Sequence, residues 1–145
     1  MPDVPIVLLE QGASPPRYAH LSDAGSDLEA ASDVVLAPGG GRARVGTGLA
    51  LELPEGFCGL ILPRSGLAAK HGVTCLNAPG LIDAGYRGEI QVVLVNLDPA
   101  DRYEVRRGDR IAQLLIVEAV QARFIVAGKL STSDRGSGGF GGSGR

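Results

Sequence analysis

An all-β sandwich or barrel carrying one short helix is the fold class this sequence predicts. The chain has 22 glycines and 9 prolines, 31 of 145 residues, and they punctuate it every 8 to 12 residues. Such spacing leaves no room for long helices. Between the breaks sit short runs rich in β-branched and large aliphatic residues, most of them bounded by turn formers, which is the pattern of a sandwich or barrel. The length is that of one domain, enough to bury a core and too short for two.

The elements follow in order. "VPIVLLE" (4–10) and "DVVLA" (33–37) read as strands, the second closed by the turn residues "LAPGGG". "TGLALEL" (47–53) ends at "LPEG", and "FCGLILP" (57–63) ends at a proline. "EIQVVLVNL" (89–97) runs into "LDPAD", "RIAQLLIVEAV" (110–120) leaves the turn "RRGD", and "ARFIV" (122–126) is the last expected strand. One segment departs from the pattern. "SGLAAKHG" (65–72) places Ser65 at an N-cap, helix formers through Lys70 and Gly72 at the exit, predicting a single helix near 65–71. Apolar periodicity stops after about residue 127, so 1–126 is read as the β domain and 127–145 as a flexible Gly-rich C-terminal arm.

Charge and cysteine content exclude several classes. The net charge of −2 provides no basic field for sequence-independent nucleic-acid binding, so any anion must be held locally. Twelve of the 14 cations are arginine, the residue suited to fork-like contacts with phosphate or carboxylate. Cys58 and Cys75 form no CxxC pair and have no histidine spaced to complete a zinc site, so both are expected as free thiols. The N-terminus lacks a basic region and no window has the length of a membrane span. A soluble, cytoplasmic protein without nucleic-acid or membrane partners is expected.

Five stretches are able to carry chemistry. In "LPRSGLAAKHG" (62–72), Arg64 and Ser65 stand where a strand gives way to a helix start. A guanidinium, a hydroxyl and free N–H groups converge there, which suits an anion, although Ser65 as a plain cap and Arg64 as a solvated residue explain them too. "NAPGLIDAGYRGE" (77–89) is a loop or hairpin dense in polar residues; it sets Asp83 directly after Leu81 and Ile82, where partial desolvation would suit a general base. "SDAGSDLEA" (22–30) offers Asp23 and Asp27, too few oxygens for a calcium cage but enough for a magnesium ion held mainly by substrate phosphates. "RRGDRIAQLLI" (106–116) joins a tight turn to a strand. The tail "DRGSGGFGGSGR" (134–145) reads either as a linker or as a phosphate-binding glycine run; no GxxxxGK[ST] pattern occurs, so it is no P-loop.

Taken together, "AGSDL" (24–28), "PRSGLA" (63–68), "NAPGLIDAGYRGE" (77–89), "RGDRIAQ" (107–113) and "RGSGGFGGSG" (135–144) resemble the five ordered motifs of the trimeric dUTP pyrophosphatases. The resemblance spans residues 22 to 144. It implies a jelly-roll-like β-barrel assembled as a homotrimer with active sites at subunit interfaces. The implied reaction is Mg²⁺-dependent hydrolysis of dUTP to dUMP and pyrophosphate, which keeps uracil out of DNA and supplies dUMP for thymidylate synthesis.

Carried over residue by residue, the resemblance makes Asp83 the activator of the attacking water and Arg135 the arginine delivered to the γ-phosphate. Arg64, Ser65, Gly66 and Gln113 would hold phosphates. Asn77, Leu81, Ile82 and Gln91 would meet base and sugar, and Tyr86 would leave no room for a 2′-hydroxyl. Phe140, followed by Gly141, would stack on uracil, and Asp27 would reach Mg²⁺ through water. Two positions depart from the family's pattern: Gly142 stands where serine is common, and Ser26 where an aromatic is common. A dCTP deaminase of the same fold and a regulator without catalysis are the alternatives. Asp83 and the glycine-rich tail argue against the first, and Asp83 against the second.

Overall fold

The computed structural model describes residues 1–134 together with 136 and 137. The described residues hold eleven strands and one helix: β1 Ile6–Leu8, β2 Ser26–Glu29, β3 Val34–Leu36, β4 Gly41–Gly46, β5 Leu49–Leu51, β6 Phe57–Leu62, α1 Ser65–His71, β7 Val73–Cys75, β8 Gly80–Ile82, β9 Gln91–Asn96, β10 Tyr103–Val105 and β11 Arg110–Glu118. They form sheets in the orders β2-β11-β6-β8, β4-β9-β7, β1-β5 and β10-β3, with every pair antiparallel. The result is an all-β, jelly-roll-like fold in which non-consecutive strands lie side by side.

Leu28, Leu49, Ile61, Val73, Leu94 and Leu114, each from a different strand, meet in one core. Alternation places them there, because successive strand residues point to opposite faces. In β6 the pattern buries Gly59 and Ile61 while Leu60 and Leu62 stay half-buried. Gly59 lacks a side chain for cause: a Cβ there would stand 3.0 Å from Leu114 Cδ1 on the neighbouring β11.

The strand expected over residues 122–126 does not form, and Phe124 and Val126 are 94% and 102% exposed. A strand needs an edge to pair with, and β11, from which this segment issues, already has β2 and β6 on its two sides. The strands β2, β4, β7, β8 and β10 were not expected. Three of them are three residues long, too short for a periodic pattern, and β4 carries the outward-facing Arg42 and Arg44. No helix of the described residues is long and apolar enough to cross a membrane.

Candidate active site

Two clusters of polar residues stand out. The first lies where β6 runs into α1. Arg64 is the N-cap of the helix and makes no side-chain cap, which corrects the assignment of that position to Ser65. Its guanidinium turns back instead: Nε lies 3.2 Å from Asp27 Oδ1, and an η-nitrogen donates to the Arg110 carbonyl at 3.0 Å. Asp27 Oδ1 is fully buried, and this ion pair is its contact without being a hydrogen bond. Asp27 Oδ2 pairs with the Arg110 guanidinium at 3.1 Å. A bulge in the β2–β11 ladder between Arg110 and Ala112 brings that arginine to the acid.

Gln113 belongs to the same cluster, since it is the partner of Asp27 on one side of β11 and of Leu62 on the other. The facing Gly25 has no side chain, and a Cβ there would stand 3.2 Å from Gln113 Cβ. Ser65 and Gly66 are exposed at the first turn of α1, and nothing described lies within 4 Å of the place a Gly66 Cβ would take. The first N–H groups of a helix lack intrahelical partners, so this turn offers donors to a ligand. The helix is held at its far end by Gly72, which closes it in the left-handed conformation (φ 63°), and by the His71 ring, 4.9 Å from that of Tyr103. Burial, with the Asp109 carboxylate nearby, raises the Tyr103 phenol above its usual range, against an opposing pull from Arg64.

The second cluster is a cleft of about 280 Å³ between the β8 hairpin and strands β4 and β9. Asn77, Leu81, Ile82, Asp83, Tyr86 and Gln91 all line it. A turn carries Asp83 and Tyr86 together, the Tyr86 N–H donating to the Asp83 carbonyl at 3.0 Å. Asp83 is exposed in the protomer. The partial desolvation expected from its aliphatic neighbours is therefore not supplied within one chain, where Leu81 is itself exposed. Two charged lining residues, Arg44 and Glu89, had no role in the expected set. Arg44 enters because β4 pairs with β9, with Arg44 opposite Val93, and no local signal announces that pairing.

The two clusters stay apart in the protomer: neither Asp27, Arg64, Arg110 nor Gln113 lines the cleft. Among the described residues no group of three or more His, Cys, Asp or Glu is able to hold a metal ion. That donor set fits Mg²⁺ as an ion held mainly by substrate phosphates, which requires only one or two carboxylates from the protein. Arg135, Phe140 and Gly141 lie outside the described residues.

The dUTPase family model matches residues 12–144, taking in both clusters and the glycine-rich tail. The chain belongs to the dUTPase family. A deoxyuridine 5'-triphosphate nucleotidohydrolase of Thermobifida fusca (strain YX) is 56% identical over 143 residues, covering 99% of this chain and 74% of its own. That of Nocardia farcinica (strain IFM 10152) is 53% identical over 141 residues, covering 97% and 85%. Among solved structures, the dUTPase of Staphylococcus bacteriophage 80alpha with dUpNHpp matches with a TM-score of 0.91 at 31% identity, both chains covered in full. A point mutant of the dUTPase from phage phi11 of S. aureus, which coordinates a structural Mg(II) ion, matches at 0.80 and 27% identity, covering 90% of this chain and 100% of its own. The all-β fold of this chain is thus that of the dUTPases.

Proposed function

We propose that this chain hydrolyses dUTP to dUMP and pyrophosphate, acting in the cytoplasm as a homotrimer whose active sites lie at subunit interfaces. The observation that carries the reading is the position of Asp83 on the wall of the cleft, beside Asn77, Ile82 and Tyr86. In the reaction a water oxygen bonds to the α-phosphorus, the bond from that phosphorus to the α,β-bridging oxygen breaks, and its electron pair leaves with pyrophosphate. Asp83 takes the water's proton. Asn77 and the hairpin backbone at Leu81 and Ile82 meet the base, while the Tyr86 ring closes the space beside the sugar. Arg64, Ser65, Gly66 and Gln113 hold the phosphates.

Separation of the two clusters within one protomer favours a shared site, in which the hairpin of one subunit faces the Arg64 cluster of another. The same closure would desolvate Asp83. Mg²⁺, when bound, would neutralise phosphate charge; the triphosphate would hold most of it, and Asp27 would be the carboxylate nearest to it, acting through water. Arg135 and Phe140 complete the site from the arm, at the γ-phosphate and on the uracil face.

One assay decides among the readings: incubation with Mg²⁺ and dUTP or dCTP, followed by measurement of pyrophosphate and ammonia. Pyrophosphate from dUTP is expected, and ammonia from dCTP would make the chain a deaminase. Asp83→Asn is expected to abolish turnover while dUTP still binds; near-normal turnover would remove Asp83 from the mechanism.

A further inference from the structure

Three contacts of the cleft converge on Glu89. Its half-buried carboxylate accepts the Gly48 N–H through Oε1 at 2.9 Å and accepts from Gln91 Nε2 through Oε2 at 2.9 Å. Its main-chain carbonyl accepts the Tyr86 hydroxyl at 2.9 Å. Two glycines clear the space this requires. Gly46 is the ladder partner of Gln91, and a Cβ there would collide with Glu89 Oε1. A Cβ at Gly88 would stand 2.5 Å from the Tyr86 hydroxyl oxygen and 2.7 Å from the ring carbon that bears it.

The chemistry of the pair fixes an orientation. An ionised carboxylate only accepts hydrogen bonds, so the Gln91 amide must turn its NH₂ end to Glu89. That leaves Oε1, an acceptor, as the end not engaged by Glu89 on an amide that lines the cleft. Uracil presents an N3–H donor, whereas cytosine presents a bare N3 acceptor; an acceptor aimed at N3 favours the first and repels the second. We propose that Glu89 is a positioning residue for substrate choice: it locks the Gln91 amide with its oxygen toward the base and pins the Tyr86 ring beside the sugar. The proposal rests on the cleft being the site of a uracil nucleotide.

The test uses the full chain and compares kcat/KM for pyrophosphate release from dUTP and from dCTP. Glu89→Gln retains an oxygen for the Gly48 N–H but turns an NH₂ toward Gln91, which forces that amide to flip and present its donor end. The dUTP-to-dCTP ratio is expected to fall about 10- to 100-fold, through KM, with kcat for dUTP within about threefold of the wild type. Gly46→Ala, which displaces the carboxylate and alters neither partner, is expected to give the same fall. The swap Glu89→Gln with Gln91→Glu restores an acceptor at position 91 and is expected to recover most of the ratio. A wild-type ratio in Glu89→Gln overturns the proposal, and so does a fall that the swap leaves unrepaired, since a merely structural role predicts that. Should Glu89→Gln fail to fold by thermal melting, Gln91→Ala decides: the ratio must fall, and an unchanged ratio overturns the proposal. Wild-type turnover separates the two levels. No pyrophosphate from dUTP defeats the functional reading, whereas normal wild-type turnover with an unchanged variant ratio defeats only the role of Glu89.

Discussion

Arg64 shows how one side chain serves two neighbours. Its planar fork reaches Asp27 through Nε and the Arg110 carbonyl through an η-nitrogen, and the one ammonium of a lysine has no geometry to span both. Arg64→Lys is therefore expected to lower kcat/KM for dUTP about 100-fold, the scale of losing one oriented donor to a developing charge. Steady-state kinetics check this, and unchanged kcat/KM would remove Arg64 from the phosphate site. Ser26, the departure from an aromatic, has a local account as well. It is buried, and its hydroxyl donates to the Leu114 carbonyl at 3.1 Å across the β2–β11 pair. A buried hydroxyl with a partner avoids the cost of an unsatisfied one.

At the scale of elements, β7 carries the group with the clearest pH consequence. Burial pushes the Cys75 thiol up to about 11, from an ordinary value of 9.0. The unfolded chain releases this proton first, so the folded state binds more protons between those two values. By linkage, this contribution to stability is fully present below about pH 9 and is lost as pH rises toward about 11. Melting temperature measured from about pH 8 to about pH 11 should fall less steeply in Cys75→Ala than in the wild type; parallel curves would refute the assignment. The half-buried Cys58 on β6 is the thiol expected to react first with an alkylating reagent in the native protein. Short strands also explain why part of the fold is invisible to local pattern. β8 is three residues of an apparent loop, and it becomes a strand only because β6 pairs with it from Gly59 to Ile61.

The whole molecule is where the arm and the assembly belong. Cutting the chain after Thr132 removes Arg135 and Phe140 and leaves every strand of the described residues intact. The truncated protein is expected to keep the oligomeric state of the full chain by light scattering, with dUTP turnover reduced about 10³-fold, the lower end of what an arginine finger supplies. Full activity after truncation would take the arm out of the mechanism. The apolar residues Phe124, Ile125 and Val126 stand exposed just before this point, so the truncation is placed beyond them.

The fold class, the helix over 65–71 and most polar residues of the 77–91 stretch were legible in the chain itself, because they depend on turn chemistry and on side chains close in sequence. Six of the expected residues, Asn77 to Gln91, share one cleft for that reason. Which strands lie side by side was settled in three dimensions alone, and three features of the site came with it. The β2–β11 bulge joined Arg110 to Asp27, the β4–β9 ladder brought Gly46 to Gln91 and Arg44 to the cleft, and Glu89 was placed to bond Gly48, 41 residues earlier in the chain. Pairing between distant segments is chosen by the burial of the whole core and by the closing of every backbone hydrogen bond. No local pattern encodes that choice, and it is what brought Glu89 into the cleft.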